Sequence, residues 1–160
     1  MKRTLACLAA VAVAFATQSA HAKSADPIGD LISKTIQGSP GEQGLKLKAT
    51  LYHIGAKGVG GRDSLGCAVS PMRTLAVDPR FLPKRSIVFI QETVGMRMPG
   101  GGSHDGLWYA SDTGGAIKGS RVDMFTGAGR NSMQQFMKKG LNLAVLSATK
   151  VGTFKGCPPR

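Results

Sequence analysis

Three aspartates carry most of the chemistry this chain offers. Asp78 follows the apolar run Leu75-Ala76-Val77. Asp112 follows Leu107-Trp108-Tyr109-Ala110-Ser111 and precedes Thr113-Gly114-Gly115. Asp123 sits in Arg121-Val122-Asp123-Met124-Phe125, between apolar neighbours. Three acids at the ends of apolar runs could converge on one groove. Beside Val122, Met124 and Phe125, burial would disfavour the ionised form of Asp123, so that it holds a proton and gives it to a leaving oxygen. Aspartates of this kind also cap turns, and spacing alone leaves both readings open.

Other chemistries find less support. The chain holds 3 His and 3 Cys. His53 and His104 read as ordinary polar loop or strand-end residues, and no His/Cys grouping has metal-ligand spacing, so no metal and no cofactor are expected. Gly58-Val59-Gly60-Gly61 resembles a phosphate loop only superficially, because no Lys-Ser/Thr pair and no helix follow it. Asp112-Thr113-Gly114 matches the aspartic-protease tripeptide, which would need a dimer to supply its second acid. The continuation Gly115-Ala116-Ile117-Lys118-Gly119 does not fit that motif.

These acids need strands to position them. Leu45, Leu47, Ala49 and Leu51 alternate with Lys46, Lys48, Thr50 and Tyr52, the period of a half-buried strand. Arg73 to Val77, Ser86 to Glu92, Leu107 to Ser111 and Leu141 to Ser147 are further strand candidates. Glycine-rich loops run from Gly55 to Gly66 and from Gly95 to Gly106. Ser132 to Lys139 predicts one helix. Short strands with tight glycine turns indicate a small β-barrel or sandwich. Upstream, Lys23 to Gly44 reads as a leader: Asp26 caps and Pro27 opens a helix that carries Ile28, Leu31, Ile32 and Ile36 and ends at Gly38.

Residues 1–22 read as a secretory signal. Lys2 and Arg3 precede the apolar Leu5 to Ala16, and Ala20-His21-Ala22 gives a small-x-small cleavage pattern. Cleavage after Ala22 leaves 138 of the 160 residues, a charge of +10 in place of +12, and no stable membrane anchor. Cys7 leaves with the signal. Cys67 and Cys157 remain, and an even pair in an exported chain suggests a disulfide. It would close a loop of about 90 residues and stabilise the chain by roughly 4–5 kcal/mol on the chain-entropy model. The basic balance calls for an anionic partner. Export and the scarcity of aromatic residues (6%) exclude a single-stranded nucleic-acid platform, whereas bacterial cell wall carries peptide carboxylates and fits.

Three runs together resemble a family: Thr74-Leu-Ala-Val-Asp78-Pro-Arg-Phe-Leu-Pro83, Ser111-Asp-Thr-Gly-Gly-Ala-Ile-Lys-Gly119 and Arg121-Val-Asp-Met-Phe125. They are similar to the 3D domain, named for three aspartates. That domain occurs in membrane-bound lytic murein transglycosylase A and in small stationary-phase, resuscitation-factor-like proteins. The resemblance covers about Leu45 to Leu146. It departs in the longer Gly95–Gly106 loop and in Lys84-Arg85, where the family often has Leu-Gly. The resemblance implies a mainly β fold, a six-stranded double-psi β-barrel with one or two short helices, over residues 45–160.

It also implies cleavage of the β-1,4 bond between N-acetylmuramic acid and N-acetylglucosamine in peptidoglycan glycan strands, leaving a 1,6-anhydro end. By the same resemblance Asp123 is the general acid and then base, and Asp112 and Asp78 support it. Thr50, Tyr52, Thr113, Gly114, Gly115, Lys118 and Arg121 would meet the sugar or its charges. One carboxyl suffices for such chemistry, because the sugar's own 6-hydroxyl is the nucleophile. A periplasmic or secreted monomer follows. Two alternatives stay open: a wall-binding module that grips glycan without cutting it, and the dimeric protease.

Overall fold

The computed structural model describes residues 44–159. The signal segment and the 26–38 helix expected from the sequence lie outside the described residues. Six strands form the fold: β1 (Gly44–Ile54), β2 (Thr74–Ala76), β3 (Ser86–Ile90), β4 (Leu107–Asp112), β5 (Arg121–Ala128) and β6 (Val145–Thr153). One short helix, α1 (Gln134–Lys138), and two 3-10 turns, Gln91–Thr93 and Arg130–Met133, complete it. The strands pair in the order β1, β5, β2, β4, β3, β6, and β6 pairs with β1 again, so the sheet closes into a ring. Closure leaves no unpaired edge strand.

β1 runs parallel to β5, and β2 parallel to β4; the other four pairings are antiparallel. A parallel pair needs a long crossover; here β2, β3 and β4 lie between β1 and β5 in the chain, and β3 lies between β2 and β4. In β1 the period of two holds: Leu47 and Ala49 are buried, and Lys46 and Lys48 are exposed. Trp108, Phe136, Met124, Leu75, Val88, Ile90 and Leu146 fill the interior. Each large apolar side chain removed from water in this way contributes about 1.5–3 kcal/mol. Trp108 satisfies its indole N–H on Thr93 Oγ1 at 3.0 Å and packs edge-on against Phe136 at 6.2 Å.

Three elements differ from the sequence reading. The last strand starts at Val145, four residues later than Leu141, because Gly140 and Leu143 both have positive φ (68° and 63°) and turn the chain. β5 is a full strand of eight residues, although the sequence singled out only its Arg121–Phe125 motif. The expected helix over 132–139 is shorter, a 3-10 turn leading into the five residues of α1. The expected disulfide is present: Cys67 and Cys157 are bonded with Cα atoms 5.6 Å apart, closing 90 residues of chain.

His104, which the sequence reads as an ordinary polar loop or strand-end residue, is buried just before β4. Its Nε2 donates to the Met72 carbonyl at 2.6 Å, and its Nδ1 accepts from the Gly106 amide at 2.8 Å. These partners fix the neutral ring and lock the 95–106 loop against β4. Burial, with a smaller push from the Arg73 charge, lowers the imidazole pKa below its ordinary value of 6.5; the Met72 bond and Asp105 act the other way. An unfolded imidazole therefore takes a proton at higher pH than the folded one. Between those two values the unfolded chain binds more protons, so stability is complete above about pH 6.5 and declines as pH falls through that window. His104→Leu should cost about 1–3 kcal/mol at pH 8 by leaving the Met72 and Gly106 groups unpaired. It should also flatten the fall in stability between pH 6.5 and 5. Denaturant titrations of both proteins across that range check this, and parallel curves would refute it.

Candidate active site

The parallel β1–β5 ladder sets Thr50 opposite Asp123 and Tyr52 opposite Phe125. On the other side of β5, Asp123 pairs with Ala76 of β2. β2 in turn pairs with β4, and here the register slips: Leu75 faces Ala110, but the next residue, Ala76, faces Asp112. The skipped Ser111 forms a bulge. In a regular ladder Ser111 would stand beside Ala76; the extra residue swings Asp112 into that place. One alanine thus lies between two aspartates. With strands about 4.8 Å apart, their Cα atoms are roughly 10 Å from each other across it. The methyl of Ala76 leaves the space between them unfilled.

That space is a cavity of about 230 Å³, lined by Tyr52, Ala76, Asp112, Thr113, Gly114, Ile117 and Asp123, with Gly58, Val59, Gly60 and Arg62 on its rim. The two acids meet different surroundings. Asp112 is fully engaged: Oδ2 accepts from the Tyr52 hydroxyl at 3.0 Å, and Oδ1 accepts from the amides of Ser64 at 3.0 Å and Thr113 at 2.8 Å. Tyr52 keeps its proton, because burial first and the Asp112 charge second drive its pKa far above the ordinary value. Its ring packs against Phe125 at 5.1 Å.

Asp123 is the opposite case. Its Oδ1 is buried without a hydrogen-bond partner. The nearby Thr50 hydroxyl is aimed chiefly at the Val122 carbonyl, which accepts from it at 3.1 Å. Burial raises the Asp123 pKa above the ordinary carboxylate value of 3.8, and the Asp112 charge adds to the rise. Thr50 and the charge of Arg121 oppose it without reversing it. A carboxyl of this kind holds a proton into weakly acidic solution and faces an open cavity from which it can donate it.

Asp78 does not line the cavity. Its carboxylate accepts from the backbone amide, Nε and Nη2 of Arg80 at 3.1, 3.2 and 3.1 Å, and from the Gly119 amide at 3.0 Å. The Arg80 guanidinium, followed by the Gly119 amide, holds its pKa well below the usual carboxylate range. Asp78 thereby ties down the far end of the turn that begins at Asp112. Gly119 has φ +59°, a conformation that other residues rarely adopt. Gly114 is glycine for a different reason: a Cβ there would meet Ile117 Cγ1 at 2.9 Å, and Ile117 is part of the wall.

Of the residues singled out in the sequence, Tyr52, Asp112, Thr113, Gly114 and Asp123 come together on the cavity wall. Thr50, Asp78, Gly115, Lys118 and Arg121 lie off that wall. Sequence reasoning missed the rim formed by Gly58, Val59, Gly60 and Arg62. Asp63 shapes this loop by accepting the Leu65 and Cys67 amides on Oδ1 at 3.0 and 2.8 Å. The next residue, Ser64, reaches Asp112. The signal was available in the glycine-rich stretch that directly follows β1 and ends at a disulfide cysteine.

Residues 73–147 match the model of the 3D domain. That stretch, 75 of the 160 residues, is what this chain has in similarity to the family. Among curated proteins nothing matches the chain. Solved structures similar to it include the lytic transglycosylase LtgG of Burkholderia pseudomallei, with 32% identity over 58% of this chain and 26% of that one, at a TM-score of 0.39. Another is MltA of Escherichia coli with bound chitohexaose, with 18% identity over 59% of this chain and 28% of that one, at a TM-score of 0.42. A third is a membrane-bound lytic murein transglycosylase from Agrobacterium tumefaciens, with 25% identity over 54% and 24% of the two chains, at a TM-score of 0.38. The chain aligns with about a quarter of the length of these proteins.

The raised pKa of Asp123 in the 3D domain has a consequence for stability. A group whose folded pKa is raised contributes fully below the unfolded pKa and loses that contribution as pH rises through the folded value. Asp123→Asn is neutral at every pH. The variant should therefore melt higher than the parent at pH 7, with the gap closing below about pH 4. Thermal melts at both pH values check this; a variant less stable than the parent at pH 7 would contradict it.

Proposed function

We propose that this protein is a lytic transglycosylase of peptidoglycan, with Asp123 as its single acid/base. The observation that carries the reading is Asp123 on the wall of a cavity, with one carboxyl oxygen buried and unpartnered, beside an acid that is hydrogen-bonded through both oxygens. The 3D domain and its occurrence in lytic transglycosylases support the substrate class.

In this mechanism the protonated Asp123 gives its proton to the glycosidic oxygen of the bond between N-acetylmuramic acid and N-acetylglucosamine, and that bond breaks. The carboxylate so formed then takes the proton of the muramic acid 6-hydroxyl. The 6-oxygen closes on the anomeric carbon, leaving a 1,6-anhydro end and a carboxyl reprotonated for the next cycle. No water is consumed and no carboxylate nucleophile is required.

Asp112, held by Tyr52, Ser64 and Thr113, lies across Ala76 and supplies negative charge opposite the developing cationic sugar. Thr113 and Gly114 form the wall the sugar would touch. Asp78 acts at a distance by fixing the 112–119 turn, and Arg121 and Thr50 tune Asp123. Gly115 and Lys118 lie further along the same turn, off the wall, where they would meet only more distant parts of the strand. Both Asp112 oxygens are already taken within the chain, which disfavours sharing a proton with the same residue of a second copy, as a dimeric protease would demand.

The two parallel strand pairs support the double-psi β-barrel reading for residues 45–160. The disulfide supports an oxidising compartment, periplasmic or extracellular, reached through the signal at residues 1–22.

Purified protein incubated with peptidoglycan sacculi should release muropeptides with 1,6-anhydro ends, identified by mass. Asp123→Asn should lower the rate at least 100-fold, the usual share of a general acid. Because the working form is protonated, the parent's rate should decline as pH rises through the elevated Asp123 pKa. Hydrolysed products alone, or an Asn variant of undiminished rate, would refute the mechanism; glycan binding without any release would favour the wall-binding module.

A further inference from the structure

The cavity at the two acids has neighbours. Tyr52, whose hydroxyl faces Asp112, also lines a second cavity of about 610 Å³. That cavity has an apolar floor of Leu51, Met133 and Met137, with Arg130 and Lys138 at its border. A third cavity, of about 400 Å³, shares Asn131, Gln134 and Lys138 with the second and adds Arg97. The three thus adjoin one another in sequence, with the 130–138 helical segment as the ridge between the outer two.

Their charges are segregated. Among the described residues, no carboxylate lines either outer cavity, and Arg97, Arg130 and Lys138 make no salt bridge. All three are exposed. Charges left unpaired on an otherwise apolar and amide-lined trough suit a ligand that brings its own carboxylates on short aliphatic side groups. The Gln134 and Asn131 amides on the ridge offer donors and acceptors for a peptide backbone.

We propose that the two outer cavities hold the anionic peptide substituents of the glycan strand, with Arg130 and Lys138 meeting their carboxylates. The inference rests on the reading of the Asp123 site as a glycan-cleaving centre and names the part of the substrate that lies beyond it. Tyr52 is the junction: its hydroxyl end belongs to the sugar cavity and its ring flank to the peptide cavity. A strand lying along the trough would place its sugar at the acids and its peptide over Met133 and Met137. The contacts to Arg130 and Lys138 are solvent-exposed ion pairs, so they weaken as ionic strength rises.

The test measures binding without turnover. In an Asp123→Asn background, titrations use soluble glycan strands bearing their peptides and the same strands stripped of peptide by an amidase. The peptide-bearing strands should bind more tightly. The double change Arg130→Ala and Lys138→Ala should weaken that binding about five- to tenfold, as expected for the loss of two exposed ion pairs, and leave binding of stripped strands unchanged. Arg130→Lys with Lys138→Arg should preserve it. An unchanged melting temperature shows that the alanine variant folds. Equal affinity of the background protein for both strands, no binding of either, or an equal loss on both strands in the alanine variant would overturn the proposal. The two readings also fail separately. Peptide-dependent binding with no digestion of sacculi by the parent removes the catalytic reading and keeps this one. Digestion of stripped and intact strands at one rate, with no peptide dependence in binding, does the reverse.

Discussion

Asp112 accepts hydrogen bonds from Tyr52 on β1, from Ser64 in the loop after it, and from Thr113 in the turn that leaves β4. Three segments far apart in sequence are joined through one carboxylate, and the cavity walls are these same three segments. A carboxylate can accept about four hydrogen bonds, so it serves as a cross-link where no other short side chain could. The β4 bulge makes this possible. Without the extra residue, Ser111 would stand beside Ala76, Asp112 would point to the opposite face, and the loop containing Gly58 and Arg62 would lose its attachment to the ring. Ser64 reinforces the bulge by donating its hydroxyl to the Ser111 carbonyl at 3.0 Å.

The contrast between Asp112 and Asp123 follows from this geometry. Donors gathered on Asp112 are donors withheld from Asp123. Tyr52 reaches only one of the two acids, and Thr50, the residue nearest Asp123 on β1, is turned to a backbone carbonyl. Two like residues two strands apart thereby meet opposite surroundings, one rich in donors and one poor, and burial raises the pKa of the donor-poor Asp123. The unpartnered oxygen is a cost to the fold, and such costs concentrate at functional sites. The disulfide offsets it on the side of the molecule where the rim loop would otherwise be held by few apolar contacts. Cys67 is buried next to Asp63, and the bond ties that loop to the C-terminal residues.

Much of this was legible in the sequence. Alternating residues marked β1 because one of its faces is interior and the other wet. The apolar runs ending in Asp78, Asp112 and Asp123 marked the three motifs, and Cys67 and Cys157 marked the bond between them. Neighbour relations were not legible. A strand's period gives its faces but not its partners, so nothing local showed that Thr50 and Asp123 share a ladder rung or that Ala76 separates two acids. The bulge at Ser111 is invisible to a period count, because it appears only when β4 is laid against β2. Asp78 shows the same limit. Its motif looked equivalent to the other two, yet Arg80, two residues on, folds back over it and engages the whole carboxylate. The rim glycines carry no phosphate-binding signature; they bring backbone close to a cavity, which requires none.

The charge distribution is bound to the same requirement. A chain of net charge +12 that keeps a protonated carboxyl must hold its cations away from it, since a guanidinium in contact would lower the pKa and remove the acid. Asp78 demonstrates that outcome under Arg80. Along the face that carries Asp123, the neighbouring rung pairs Lys48 with Arg121, one step further from the cavity, and Arg121 lowers the Asp123 pKa only in part. Burial and the Asp112 charge outweigh it. Much of the remaining positive charge lies exposed on β1 (Lys46, Lys48), on loops and on the 130–138 ridge, away from the acid. Two register steps along β5 separate Arg121 from Asp123, and that separation lets a raised carboxyl pKa coexist with a strongly basic surface in one small protein.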